Sequence, residues 1–135
     1  MTLLRARETV MRQFRPILAE HGLTEQQWRV LRALTDFGGP LSAGDLAERT
    51  LLLGPSLSRM LRGMEESGLL LRITDPTDAR SSLASLTRKA NRLVAKIGPL
   101  SEARYRWIAD QVGPERLDEL VNLLHLVDAL EGDPS

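Results

Sequence analysis

Apolar positions recur at helical spacing along most of the chain. Residues 2–21 carry Leu3, Leu4, Val10, Met11, Phe14, Ile17 and Leu18 in that rhythm, and Gly22 reads as a stop. Thr24 followed by Gln27 is a capping-box pattern, opening a helix with Trp28, Val30, Leu31 and Leu34 that ends at Gly38-Gly39-Pro40. Ser42 with Asp45 starts a short helix to about residue 49, and a turn follows near Thr50–Leu53. Pro55 suits the first turn of the next helix, where its missing N–H is harmless. That helix runs through Leu57, Met60, Leu61 and Met64 to a terminating glycine, Gly68.

One stretch reads as strand. Leu69–Thr74 and Ser82–Leu86 flank the polar, turn-rich segment 75–80, which predicts a hairpin. Thr87 then caps a long helix to about Val112, and Gly98-Pro99 predicts a kink or break within it. Gly113-Pro114 separates a last helix with Leu117, Leu120, Val121, Leu123, Leu124, Leu126, Val127 and Leu130, and the tail 131–135 is expected to fray. The fold expected is mainly α with a small β-hairpin. The short helix 42–49 and the helix 55–67 have helix-turn-helix proportions, and the hairpin has the position of a wing. Residues 1–135 then form one domain: a winged helix-turn-helix at about 24–88, with helical segments 1–22 and 89–131 on either side.

Composition narrows the chemistry. No cysteine is present, which excludes disulfides, thiolate zinc sites and iron–sulfur clusters and fits a reducing cytoplasm. His21 and His125 are the only histidines, so neither a metal site nor any cofactor is expected. No apolar run approaches the roughly 20 residues of a membrane span, and the charged N-terminus lacks the apolar region of a signal peptide. No phosphate loop, zinc motif or nucleophile elbow points to an enzyme. The 18 basic and 18 acidic residues cancel, but unevenly. Residues 54–92 hold seven basic and four acidic side chains, a net of +3, whereas 102–135 hold three and eight, a net of −5. A chain with one DNA-facing and one partner-facing surface has this distribution; chance clustering of solvated charge gives it too.

A recognition helix lays its N-terminal residues against base edges in the major groove. Ser56, Ser58, Arg59 and Arg62 are the candidates, since their spacing leaves Leu57, Met60, Leu61 and Met64 on another face. At the hairpin tip Arg80 is placed to enter a minor groove, with Asp78 holding its guanidinium or a neighbouring backbone N–H. The plainer alternatives are an amphipathic surface helix with solvated arginines and a capped turn with a surface ion pair.

Taken together, Asp45-Leu46-Ala47-Glu48-Arg49, Ser56-Leu57-Ser58-Arg59-Met60-Leu61, Met64-Glu65-Glu66-Ser67-Gly68-Leu69-Leu70-Leu71-Arg72, Asp75-Pro76-Thr77-Asp78-Ala79-Arg80 and Ser85-Leu86-Thr87 resemble the MarR family of regulators. Phe14-Arg15-Pro16-Ile17-Leu18, the stretch Leu23–Arg32 and Pro55-Ser56-Leu57 resemble the subgroup that represses homoprotocatechuate and other aromatic-acid degradation operons. The resemblance implies a triangular homodimer, with the terminal helices as its interface and one winged module per subunit on a pseudo-palindromic operator. It implies base or phosphate contacts for Ser56, Ser58, Arg59 and Arg62, and a minor-groove contact for Arg80 supported by Asp78. Leu51 replaces the family's turn glycine, Leu53 its N-cap serine, and Gly54 a frequent polar contact residue.

Two further expectations follow. The last helix has apolar residues on two faces, 117, 120, 124, 127 and 123, 126, 130, one to pack in its own subunit and one for a partner. Arg15, His21 and Trp28 lie where the first two helices meet, which the subgroup resemblance places between the DNA-binding and dimer lobes. An arginine beside an aromatic ring suits a small aromatic carboxylate as effector. Alternatively, Trp28 is core, Arg15 snorkels and His21 caps a helix end. The function expected is a DNA-binding repressor released by a small aromatic acid; the alternative is a winged-helix interaction module without DNA binding.

Overall fold

The computed structural model describes residues 1–132. The order is α1 (Thr2–Glu20), α2 (Glu25–Phe37), β1 (Leu41–Ser42), α3 (Ala43–Thr50), α4 (Gly54–Glu66), β2 (Leu70–Asp75), β3 (Asp78–Leu86), α5 (Arg88–Val112) and α6 (Pro114–Asp128). The frayed tail expected at 131–135 lies largely outside the described residues.

Local chemistry sets most of these boundaries. At α2 the Thr24 hydroxyl accepts from the Gln27 N–H while the Gln27 side chain accepts from the Thr24 N–H, so two orphan donors are satisfied reciprocally. Ser42 accepts from the Asp45 N–H at α3, and Thr87 from the Ala90 N–H at α5. Gly68, at φ 79, ends α4 in the left-handed conformation that lacks a Cβ penalty. Leu51 adopts the same region at φ 58, the one non-glycine among the described residues with positive φ. Its N–H bonds the Ala47 carbonyl at 2.9 Å and closes α3, at a strain of roughly 1 kcal/mol.

Three expectations are corrected. First, the sheet has three strands, in the order β1-β3-β2, because Leu41 and Ser42 pair with Ala84 and Leu83. Second, the hairpin is tighter than a six-residue loop: β3 already begins at Asp78, and Asp75 faces it across Pro76-Thr77. Third, Gly98-Pro99 does not break α5, which runs continuously from Arg88 to Val112. Pro16 lies within α1 in the same way. Each proline removes one donor to the carbonyl four residues back. Those carbonyls belong to Arg12 and Ala95, both exposed, so water can replace the lost bonds.

The chain divides into two compact units, Met1–Ser101 and Glu102–Ser135. In the first, α2, α3 and α4 enclose a core of Val30, Leu31, Leu34, Leu46, Leu57, Leu61 and Met64, completed by Leu70 of β2 and Ile97 of α5. Met60 and Trp28 pack against it half-buried. The second unit contains α6, none of whose residues is buried. The stripe expected to pack within its own subunit is therefore open as well.

Candidate nucleic-acid interface

Helix α4 buries Leu57, Leu61 and Met64, spaced four and three residues apart, and this fixes which residues face outward. Ser56, Ser58, Arg59 and Arg62 are all exposed. Neither arginine has an ion pair among the described residues. Pro55 stands in the first turn, and the N-cap residue Leu53 offers no side-chain hydrogen bond. The N-terminus of α4 thus keeps unsatisfied backbone N–H groups and the positive end of the helix dipole, which favour an anion such as a phosphate.

At the wing the strand pairing jumps from Thr74–Ser82 to Asp75–Asp78, which leaves residues 79–81 with no facing residue on β2. Arg80 lies in this bulge. The Asp78 carboxylate accepts from the Arg80 backbone N–H at 3.0 Å, so of the two roles considered for Asp78 the structure has the backbone one. The Arg80 guanidinium is exposed and unpaired among the described residues. The turn is held by Asp75, which accepts from the Thr77 N–H at 2.9 Å and its hydroxyl at 2.7 Å. These bonds hold the Asp75 carboxyl below its ordinary pKa, the backbone N–H contributing most. Behind the tip Arg72 pairs with Glu65 of α4 at 3.1 Å, tying the hairpin to that helix. At the hairpin base the Thr87 hydroxyl donates to the Gly68 carbonyl at 2.7 Å, and the Lys89 ammonium to the Ser67 carbonyl at 2.7 Å.

Arg15 and His21 line separate hollows among the described residues. Arg15 is engaged by the carboxylates of Glu8 and Glu25, the latter at 3.3 Å. Glu8 holds the Arg15 pKa above its ordinary value, chiefly through their hydrogen bond. His21 places Nδ1 2.9 Å from the Ile17 carbonyl, the helix-end role considered as its alternative. It also lines a hollow with Gln27, Lys89, Arg92 and Lys96. Arg15 lines a different one, with Leu18, Leu23 and Glu25. The arginine beside Trp28 is Arg32, its guanidinium 5.9 Å from the ring centroid. Their separation of four residues on one helix face is a signal the sequence already carried.

One buried acid was not anticipated. Glu25, 8% exposed, accepts from Arg7 of α1 at 2.6 Å and also meets Arg15. Burial pushes its carboxyl pKa up, but the two arginines outweigh that and leave it below the ordinary value. Arg29, 3.9 Å from Glu25, donates to the Thr50 carbonyl at 2.7 Å. The cluster therefore links α1, α2 and the end of α3.

Residues 21–81 match the MarR family. The chain is 40% identical over 130 residues to the homoprotocatechuate degradative operon repressor of Escherichia coli, covering 96% of this chain and 87% of that protein. The chain belongs to the MarR family. Among solved structures, this MarR-family chain is similar to NadR in complex with 4-hydroxyphenylacetate, at 37% identity and a TM-score of 0.82 over 96% of this chain and 92% of that one. It is also similar to the transcriptional repressor CouR bound to a 23-mer DNA duplex, at 28% identity and a TM-score of 0.85 over 94% and 89%. The winged helix-turn-helix fold holds, and the DNA-binding regulator reading stands over both the enzyme and the interaction module without DNA binding.

Proposed function

We propose that two copies of this chain bind a pseudo-palindromic operator as a repressor and that a small aromatic carboxylate releases it. The observation that carries the reading is the outward face of α4, where Ser56, Ser58, Arg59 and Arg62 stand exposed while the opposite stripe is buried. In this reading they contact bases and phosphates in the major groove, and Arg80, its backbone held by Asp78, enters the minor groove. Residues 24–88 serve as the DNA-binding module, and 1–22 with 89–131 as dimerisation helices. The unburied leucines of α6 support a homodimer. A two-fold dimer calls for half-sites about one turn, ~10 bp, apart.

For the effector, Trp28 with Arg32 above its ring supplies the aromatic and cationic pair that an aromatic carboxylate needs. Arg15, held by Glu8 and Glu25, can take up a carboxylate by exchanging the exposed Glu8 for it, and His21 keeps Nδ1 on the Ile17 carbonyl. The bound 4-hydroxyphenylacetate of NadR supports this ligand class. No helix among the described residues is long and apolar enough to cross a membrane, and action on DNA in the cytoplasm is part of the proposal.

The test is to select duplexes from a random pool with the full chain and measure affinity with and without 4-hydroxyphenylacetate. Arg80→Ala is expected to weaken binding about tenfold, on the scale of one groove contact, with unchanged thermal melting. Failure to enrich any duplex sinks the regulator reading; unchanged affinity removes Arg80 from the site.

A further inference from the structure

The entry to the recognition helix breaks two local rules at once. An N-cap position favours a side chain that accepts a hydrogen bond from the first turn, and Leu53 makes none. A leucine also gains by leaving water, yet Leu53 is 78% exposed. The residue thus serves neither the helix nor the core. Departures of this kind, without compensation inside the chain, are found where a site serves something outside it.

Its neighbour points the same way. A Cβ built on Gly54 meets no atom within 4 Å, and its φ is not in the left-handed region. Neither packing nor backbone geometry within the chain requires glycine there. A missing side chain at the first residue of a groove-entering helix lets the backbone come close to whatever lies opposite. Leu53 would then extend its isobutyl group, at that close approach, toward the floor of the major groove. The apolar feature available there is the C5-methyl group of thymine.

We infer that Leu53 is a specificity-determining residue that reads a thymine methyl group, with Gly54 permitting the approach. The inference rests on the operator-binding reading above. Leu51, 84% exposed, is not assigned the same role, because it is two residues further from the helix and occupies the strained turn. Leucine here exchanges a local cap for a contact that only a 5-methylpyrimidine can make. Specificity at that base pair then comes from shape and desolvation, and the serines and arginines of α4 handle the polar edges.

The experiment uses duplexes selected by the full chain from a random pool. Each thymine is replaced in turn by deoxyuridine, which removes the C5-methyl group and nothing else. The wild-type chain is expected to lose about three- to fivefold in affinity at one or two thymines per half-site, the scale of one buried methyl group. Leu53→Ser and Leu53→Ala are expected to bind the thymine and deoxyuridine duplexes equally at those positions, with melting temperatures confirming that both variants fold. A flat deoxyuridine scan with the wild-type chain overturns the inference while leaving the regulator reading intact. A deoxyuridine penalty that persists unchanged in both variants also overturns it. If no duplex is enriched, the regulator reading and this inference fall together.

Discussion

Leu61 of α4 and Leu126 of α6 are the same residue in the same secondary structure, yet their exposures are 0% and 68%. Helix α4 confines its large apolar residues to one stripe and buries it in the core, against α3 and the sheet. Helix α6 spreads leucine and valine over two stripes and buries neither. The difference teaches that apolar content does not say where burial occurs; the number of faces does. One stripe can be satisfied by a single chain. Two stripes of which no residue is buried call for a second body, which the proposed homodimer supplies.

The largest effect expected from this contrast is on assembly. Replacing Leu123 and Leu126 together by aspartate should convert a dimer to a monomer in sedimentation, shifting the dissociation constant by several orders of magnitude. Leu61→Ala should leave association alone but lower unfolding stability by about 2–5 kcal/mol, as a cavity in a packed core does. If the aspartate pair leaves the dimer intact, the two-stripe argument fails.

A smaller effect tests how the first unit holds α1. Glu25→Gln should lower stability by about 1 kcal/mol, discounted because Arg7 and Arg15 are both partly exposed to solvent. The sign with pH follows from the depressed carboxyl. Its contribution is fully present above the ordinary carboxylate pKa and is lost as pH falls through the lower folded value. Denaturant melts of wild type and Glu25→Gln should therefore converge as pH drops below about 4. A gap that stays constant through that range would assign the effect to packing alone.

The smallest expected effect is a gain. Leu51→Gly should raise stability by roughly 0.5–1 kcal/mol, because glycine accepts φ 58 without strain and only an exposed side chain is lost. A loss on substitution would mean that Leu51 packs against something in the assembled protein.

What the sequence disclosed was what depends on neighbours in sequence. The caps at Thr24, Ser42 and Thr87 and the glycine stop at Gly68 were legible because each acts within four residues. The buried stripe of α4 was legible because helical spacing alone defines it. β1 was not: two residues carry no period, and Leu41 is a strand only because Ala84, more than forty positions away, pairs with it. The bulge at the wing depends on a register that no local pattern records. Glu25 reads as an ordinary first-turn acid until α1 folds over it with Arg7 and Arg15. The pairing of Arg32 with Trp28 was legible, since four residues separate them on one helix, whereas the pairing of Arg15 with Glu25 depends on how α1 meets α2.

The wing bulge carries a thermodynamic consequence. Residues 79–81 lack strand partners, yet Asp78 already fixes the Arg80 backbone. Ordering the backbone of one residue costs about 1–2 kcal/mol. At Arg80 the Asp78 bond already restricts the backbone, so the proposed groove contact has mainly the side chain left to immobilise. A wing built in this way loses little affinity to disorder in the free protein, and its long side chain can still follow a groove whose width varies from one sequence to the next.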